Sequence, residues 1–314
     1  MDFQKMKAVI CTKYGPPEVL RITEVEKPIP KDHEVLIKIH VTTVHIGDTK
    51  IRSLKPGMGK LQDFILKPIM RIVIGFSGPR KKILGMELAG VIQEVGKGVS
   101  LFKPGDRVFA TTEMNFGTYA EFTCIAENVL MVKIPDAISY EQAAPIPNGA
   151  LTALIMIRKA YIKTGMKVLV YGASGSVGTF TVQLCVHFGA TVVGVCSTAN
   201  DEMVRSLGAE KTIDYAKEDF TESSDKYDVI FDAVGKIPRS DRKKALRGGG
   251  VYLNVLTLSN SIKLKVEDLS YLTALMKSGD LKAVIDRKYP LEKIVQAHRY
   301  VDKGHKKGNV VITI

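Results

Sequence analysis

The twelve residues from Lys167 to Gly178 read Lys-Val-Leu-Val-Tyr-Gly-Ala-Ser-Gly-Ser-Val-Gly. An apolar run of strand length is followed by three glycines, Gly172, Gly175 and Gly178, and then by an uncharged helical pattern. A glycine loop between a strand and a helix lets backbone N–H groups approach a pyrophosphate, and the helix dipole favours that anion. The loop is one residue longer than plain G-x-G-x-x-G. The stretch therefore predicts a dinucleotide site, with a purely structural turn as the alternative.

Strands and helices alternate downstream of this loop, which is typical of a doubly wound parallel sheet in an α/β fold. Residues 168–200 contain no Asp, Glu, Lys or Arg. We interpret them as sheet elements buried on both faces rather than a membrane span, because five glycines interrupt the run. The expected elements are strands at 167–172, 191–196, 211–215 and 229–234, and helices at 177–188 and 201–207.

The first 125 residues have a different pattern, with short strand-like runs separated by Gly and Pro turns. These runs, at 34–40, 90–95 and 107–110, predict a compact barrel-like domain. Ser139 followed by Gln142 predicts a helix start. Residues 309–314 form a closing strand that needs a partner.

The net charge of +12 is concentrated in two islands. Residues 50–82 hold nine basic side chains and one acid, for +8, and residues 236–247 contribute +5. With 7% aromatic residues, no Trp and no RNA-recognition motif, no nucleic-acid partner is expected, although an NADPH-binding protein that contacts RNA or a membrane surface stays an alternative.

The four cysteines fit no disulfide or metal spacing, and no secretion signal is visible, so we expect a cytoplasmic protein.

The end of the second strand decides which dinucleotide is favoured, because an acid there would bind the ribose 2′-OH of NAD and repel a 2′-phosphate. Cys196, Ser197 and Thr198 provide no acid, and Tyr215 ends the next strand, where it can flank the adenine or the phosphate. This favours NADPH over NADH, with Arg205 or Lys211 as phosphate partners. The alternative for Ser197 and Thr198 is a cap for the helix near Asp201.

Residues 60–80 mix apolar and basic side chains. We favour a substrate lid here, with peripheral contact to an anionic membrane as the alternative. Pro68 is expected to interrupt any long amphipathic helix.

The chain as a whole resembles the medium-chain dehydrogenase/reductase superfamily, in its zinc-free quinone oxidoreductase and enone reductase branch. The resemblance rests on the order and spacing of many motifs. They include Tyr14-Gly-Pro-Pro-Glu-Val-Leu20, Gly85-Met-Glu-Leu-Ala-Gly-Val91, Phe102-Lys-Pro-Gly-Asp-Arg-Val-Phe109, Asp232-Ala-Val-Gly235 and Gly304-His-Lys-Lys-Gly-Asn-Val-Val311.

The resemblance implies a GroES-like catalytic domain at 1–125, completed by residues 285–314, and a Rossmann domain at 126–284. Where zinc-bearing relatives place a Cys, a Gly-His-Glu motif and a second Cys, this chain has His45, Met86 with Glu87, and Asn148. These are poor zinc ligands, so no metal is expected. The segment 256–265 is shorter than in relatives. Because the final Rossmann strands often build the dimer interface, a homodimer is left open.

Without a metal, the implied chemistry is hydride transfer from NADPH to a quinone or an α,β-unsaturated carbonyl. His45 is the candidate hydrogen-bond or proton donor to the substrate oxygen, and a structural role is its alternative. Asp48 is expected mainly to order its loop, and Lys50 occupies the place of a Tyr in relatives. The implied cofactor residues are Asn148, Thr152, Gly172, Ala173, Ser174, Gly175, Ser176, Val177, Gly178, Ser197, Thr198, Tyr215, Val234 and Gly235.

Overall fold

The computed structural model describes residues 4–57, 59–256 and 265–314. The strands in these ranges are β1 (Lys5–Cys11), β2 (Leu20–Glu26), β3 (Glu34–Thr43), β4 (Glu87–Val95), β5 (Arg107–Thr111), β6 (Phe122–Ala126), β7 (Met131–Lys133), β8 (Lys167–Tyr171), β9 (Thr191–Cys196), β10 (Lys211–Asp214), β11 (Tyr227–Asp232), β12 (Leu246–Asn254), β13 (Ile285–Pro290) and β14 (Asn309–Thr313). The α-helices are α1 (Ile46–Ser53), α2 (Lys60–Ile74), α3 (Tyr140–Ala143), α4 (Leu151–Ala160), α5 (Ser176–His187), α6 (Asp201–Ser206), α7 (Arg239–Ala245), α8 (Val266–Ser278) and α9 (Ile294–Asp302).

The chain forms two compact units. One, the barrel unit, combines residues 1–147 with 285–314, and the other, the nucleotide unit, comprises residues 148–284. The contacts thus divide the chain at Pro147, whereas the sequence analysis expected a division after residue 125.

The barrel unit is built on a sheet in the order β13-β14-β3-β4-β5-β7, with β6 also paired to β3, and on a separate β1-β2 hairpin. The predicted closing strand finds its partner here, because β14 pairs antiparallel with β3 through Val311 opposite Thr43. One apolar core joins α9 and β14 to early residues such as Val9 and Val44. The C-terminal residues are therefore an integral part of this unit.

The nucleotide unit has a five-stranded sheet in the order β10-β9-β8-β11-β12, and the four pairings between these strands are parallel. The middle residues of the central strand β8, Val168, Leu169 and Val170, are completely buried, which explains their apolar character. The strand order reverses between β8 and β11, and in sheets of this kind ligands bind beyond the carboxyl ends of the strands at such a point. The α/β class and the Rossmann sheet are confirmed.

Pro68 lies inside a helix. Pro68 does not interrupt the 60–74 segment, since α2 runs through it for 15 residues, so this prediction was wrong. Its missing N–H would leave the Phe64 carbonyl without a helical donor, and that residue lies on the exposed side of the helix, where water can replace the bond.

Most of the short connection at 256–265 lies outside the described residues. Within the described ranges, no helix combines the length and apolarity needed to cross a membrane.

Candidate active site

The glycine loop in the nucleotide unit leaves no room for a Cβ at Gly172 or Gly178. Gly172 adopts φ 78°, a conformation that favours glycine, and donates its N–H to the Val195 carbonyl. A Cβ on Gly178 would lie 2.1 Å from the Gly172 carbonyl oxygen. α5 begins directly after Gly175, and its cap position makes no side-chain hydrogen bond. The first-turn N–H groups of this helix have no carbonyl within the helix to accept them, which is the arrangement that binds an anion.

A second turn packs against this loop. Val234 and Gly235 follow β11, and a Cβ on Gly172 would lie 2.5 Å from a methyl carbon of Val234. The buried Asp232 carboxylate holds the turn by accepting N–H bonds from Val234 at 3.0 Å, Gly235 at 2.6 Å and Ile237 at 2.9 Å. In the sequence, Asp232 is only part of a family motif. Its role in holding the turn after β11 is visible only in three dimensions.

Asn148 and Thr152 lie at the start of the nucleotide unit, where Asn148 belongs to a short π-helical turn and Thr152 to the first turn of α4. Between them, Gly149 sits tightly on α5, because a Cβ there would be 2.8 Å from the Ser176 hydroxyl oxygen. The structure thus brings this turn next to the start of α5, which follows the glycine loop.

Ser197, Thr198 and Tyr215 follow the carboxyl ends of β9 and β10. An acid that the sequence analysis overlooked lies among them: Asp214, the last residue of β10, accepts hydrogen bonds from both the N–H and the hydroxyl of Thr198. These bonds lower the pKa of Asp214 below its ordinary value. The Lys217 ammonium is 3.8 Å from the same carboxylate. Arg205 is paired with Asp201 at 3.0 Å and also donates to the Glu210 carbonyl, which precedes the amino end of β10.

In the barrel unit, His45 caps α1. Its Nδ1 accepts the N–H of Gly47 at 3.0 Å, so the ring proton of the neutral form is carried by Nε2. Burial, with the positive charges of Lys306 and Lys50 nearby, lowers the pKa of His45 to about 4. The imidazole is therefore neutral at pH 7, and it can donate a hydrogen bond but is not an imidazolium acid.

Asp48 lies beneath His45 and is completely buried. It accepts the N–H of His45 at 3.0 Å and the N–H of Gly85 at 3.2 Å, which ties the α1 loop to the chain before β4. Burial raises the pKa of Asp48 to about 7, against the opposite pull of these donors. Burial, with the Asp48 carboxylate nearby, raises the pKa of Tyr119 well above its ordinary value. The contacts of Asp48 are those of a residue that orders the loop.

The residues at the zinc-ligand positions have other partners. Glu87 is 2% exposed and accepts the Thr43 hydroxyl, while His45 Nδ1 is occupied by Gly47. Met86 contributes only a thioether, and in the described ranges no three His, Cys, Asp or Glu side chains are grouped as a metal site. This set does not fit a catalytic zinc, which needs three strong ligands.

Lys306 is a half-buried lysine that the sequence analysis missed, although it lies in the quoted Gly304–Val311 motif. Its ammonium hydrogen-bonds the Gly308 carbonyl oxygen at 2.5 Å. Burial lowers the pKa of Lys306 to about 8, while Glu87 and Asp286 partly stabilise its charge. Lys50 on α1 is also half-buried, and burial lowers its pKa too. The positive charges of Lys50 and Lys306 thus both act on His45, and the pKa of each lysine is lowered by burial.

Two protein family models match parts of this chain. A family model described as alcohol dehydrogenase GroES-like domain matches residues 31–136, and one described as zinc-binding dehydrogenase matches residues 239–312. The 2-methylene-furan-3-one reductase of Solanum lycopersicum is 33% identical over 98% of this chain and 79% of its own length. The chloroplastic NADPH-dependent alkenal/one oxidoreductase of Arabidopsis thaliana is 32% identical over 98% of this chain and 80% of its own.

A quinone oxidoreductase from Coxiella burnetii has the same fold, with a TM-score of 0.81 and 26% identity over 99% of this chain and 100% of that one. Matches of this extent cover both units and both parts of the barrel unit. The chain belongs to the medium-chain dehydrogenase/reductase superfamily, in its quinone oxidoreductase and enone reductase branch.

Proposed function

We propose that this protein is a zinc-independent reductase that uses NADPH to reduce small electrophiles, namely quinones or α,β-unsaturated carbonyl compounds. The observation that carries the proposal is His45, a neutral hydrogen-bond donor at the position where zinc-bearing relatives have a cysteine. The names of the relatives point to the same two substrate classes. When bound, the nicotinamide supplies a hydride to the electron-poor carbon.

The nucleotide unit would hold the cofactor mainly through its backbone. We assign the pyrophosphate to Gly172, Ala173, Ser174, Gly175, Ser176, Val177 and Gly178, and the nicotinamide end to Asn148, Thr152, Val234 and Gly235. The ribose and adenine are assigned to Ser197, Thr198 and Tyr215. These assignments are supported by the tight glycine loop, in which a Cβ on Gly172 or Gly178 would overlap neighbouring protein atoms, and by the start of α5, which has no side-chain cap.

The preference for NADPH over NADH rests on Lys217 in this proposal. Asp214 binds the Thr198 hydroxyl, so that hydroxyl is less available to a phosphate than the sequence suggested. Lys217 is paired with Asp214 at the carboxyl end of β10, where the cofactor is expected, whereas Arg205 is paired with Asp201 and bonds the Glu210 carbonyl at the amino end of that strand. Lys217 is therefore the better candidate, and Lys211, the first residue of β10, lies at the amino end and is a poorer one.

The barrel unit would stabilise the negative charge that develops on the substrate oxygen. We assign the hydrogen-bond donor to His45 Nε2 and a supporting positive charge to Lys306, with Lys50, in the last turn of α1, as a further cation. A preorganised donor and a cation both lower the energy of a developing enolate. Asp48 acts as a positioning residue, because its carboxylate fixes the backbone N–H of His45.

The decisive experiment measures NADPH oxidation by the purified chain against quinones, enones, aldehydes and simple alcohols, and repeats the series with NADH. We expect turnover of quinones or enones, faster with NADPH, and no loss on treatment with a zinc chelator. Turnover of alcohols alone would contradict the proposal. A cytoplasmic location and a homodimer belong to the same proposal, and light scattering of the purified protein checks the dimer.

A further inference from the structure

Helix α2 exposes an apolar face that no other described part of the chain covers. Five large apolar side chains make up this outward face, and each is more than half exposed: Phe64 (78%), Ile65 (58%), Ile69 (51%), Ile72 (67%) and Val73 (61%). Phe76, just beyond the helix, is 77% exposed. Single exposed apolar residues are ordinary, but a contiguous set on one helix marks an interaction surface.

The helix also has a defined inner face. Asp63, Leu66, Met70 and Ile74 are half-buried, and their spacing of three or four residues places them on one side of the helix. Ile74 packs against the barrel core. The outward face is thus a stable feature of α2 rather than a result of a loosely placed segment.

The carboxyl end of α2 is firmly attached to the barrel unit. The Tyr14 hydroxyl donates to the Gly75 carbonyl at 2.6 Å, and Arg80 donates to the Ile72 carbonyl at 2.8 Å. Gly75 adopts φ 145°, and a Cβ there would meet the Gly78 carbonyl oxygen at 2.0 Å. The anchored turn fixes which side of α2 faces outward.

Basic side chains border the outward face. Lys67 and Arg71 are exposed one turn apart, on the edge between the inner face and Phe64, and the Arg71 guanidinium lies 6.0 Å from the Phe76 ring centroid. The exposed run of Arg80, Lys81 and Lys82 follows the anchored turn. Asp63 is the only acid between residues 50 and 82. The surface is therefore apolar in the middle and cationic at its margin.

We propose that α2 docks this protein on an anionic phospholipid bilayer, lying in the plane of the interface with its outward face among the acyl chains. A 15-residue helix is about 22 Å long, which is too short to cross the roughly 30 Å hydrocarbon core. An apolar face with a basic border is typical of helices that lie in the interface. A second copy of the chain is a poorer occupant, because a two-fold contact would bring two +8 segments together.

The test is flotation of the full chain with vesicles of phosphatidylcholine alone and with vesicles that also contain phosphatidylglycerol. We expect binding to the anionic vesicles that weakens as salt rises, and little binding to the neutral ones. The double variant Ile69→Ser with Val73→Ser, and separately Lys67→Glu with Arg71→Glu, should each lower the partition coefficient at least about tenfold. Ile29→Ser and Leu101→Ser replace equally exposed apolar residues outside α2 and serve as matched controls.

Absence of wild-type binding to anionic vesicles at low salt would overturn the proposal, as would unchanged binding of both double variants. Light scattering distinguishes the other occupant, because a dimer abolished by Ile69→Ser with Val73→Ser, without vesicle binding, would assign this face to a second copy. A lid role would be indicated if the same variant lost turnover of a water-soluble quinone but kept vesicle binding. Vesicle binding is measured without turnover, so its outcome is separate from that of the proposed reaction.

Discussion

The candidate functional groups of the two units are of different kinds. In the nucleotide unit the cradle is backbone, since Gly172 and Gly178 leave no space for a Cβ, and the Asp232 carboxylate supports it by accepting N–H groups and the Tyr252 hydroxyl. In the barrel unit the working groups are side chains, above all the His45 ring and the Lys306 ammonium. A site made of backbone is disrupted when a substitution adds a Cβ to it. A site made of side chains loses its activity when a particular functional group is removed. Substitutions that separate these two kinds of failure test the comparison directly.

The largest effect is expected for Gly178→Ala. Its Cβ would meet the Gly172 carbonyl oxygen at 2.1 Å and push the loop out of shape. We expect the Kd for NADPH to rise at least about 100-fold, which is roughly 2.7 kcal/mol, together with about 1–3 kcal/mol lower free energy of unfolding. Fluorescence titration of NADPH and urea denaturation measure the two effects.

Gly248→Ala is the matched control, because a Cβ there has no neighbour within 4 Å, and it should change neither quantity. Gly175→Ala separates a cradle from a merely structural turn. Its Cβ would be 3.5 Å from the Gly172 oxygen, so the fold should be retained while NADPH binding weakens. Unchanged NADPH binding by Gly175→Ala would contradict the cradle.

In the barrel unit, His45→Ala should lower kcat about 100-fold, because removal of one preorganised donor to a developing oxyanion typically costs this much. It should also lower the free energy of unfolding by about 1 kcal/mol through loss of the α1 cap. His45→Asn retains a cap acceptor and an amide donor, and should keep the stability and most of the rate. If His45→Ala matched the wild-type kcat, His45 would have only its structural role.

The pH profile tests Lys306. Since its pKa is lowered to about 8, its charge is present at pH 7 and is lost as the pH rises through 8, so kcat should fall over that range. Lys306→Met should lower kcat about tenfold at pH 7 and remove this limb, while Lys306→Arg should keep the rate and shift the limb beyond the measurable range. A limb near pH 8 that persists in Lys306→Met would assign it to another group.

The lowered pKa of Lys306 also predicts how the free energy of unfolding changes with pH. A lysine whose pKa is lower in the folded than in the unfolded state destabilises the fold while both states bind the proton. The free energy of unfolding contributed by this residue should therefore rise between pH 8 and 10.5. Urea denaturation of wild type and Lys306→Met at pH 7.5 and pH 10 isolates this contribution as a difference between the two proteins.

The smallest effect is expected at the adenosine end. Lys217→Ala should raise the KM for NADPH a few-fold and leave the KM for NADH unchanged, because only NADPH carries the 2′-phosphate. Arg205→Ala is the control, since the Arg205 guanidinium is paired with Asp201 and bonds the Glu210 carbonyl at the amino end of β10. Equal changes in both KM values for Lys217→Ala would remove Lys217 from phosphate recognition.

Local patterns predicted the elements of the nucleotide unit closely. The β9 strand was expected at 191–196 and lies there, and α5 begins one residue before the expected start. The Ser139 cap was also confirmed, because its hydroxyl accepts the Gln142 N–H at 3.2 Å. Such features depend on neighbours within a few positions, which a sequence displays directly. The prediction for Pro68 was wrong because helix breaking depends on whether water can reach the freed carbonyl, and this depends on which side of α2 is exposed.

The sequence by itself determined the α/β class, the glycine loop and the family, because these are written in spacing and apolar periodicity. Tertiary structure decided the chemistry of the side chains. His45 is neutral because it is buried and bonded to Gly47, and Asp214 meets Thr198 only because β9 and β10 are neighbours. Similarly, α2 and α5 both carry large apolar residues, yet Phe180 and Leu184 of α5 are fully buried, whereas Phe64 and Ile72 of α2 face outward. The physical reason is that pKa, pairing and exposure depend on contacts between residues far apart in the chain.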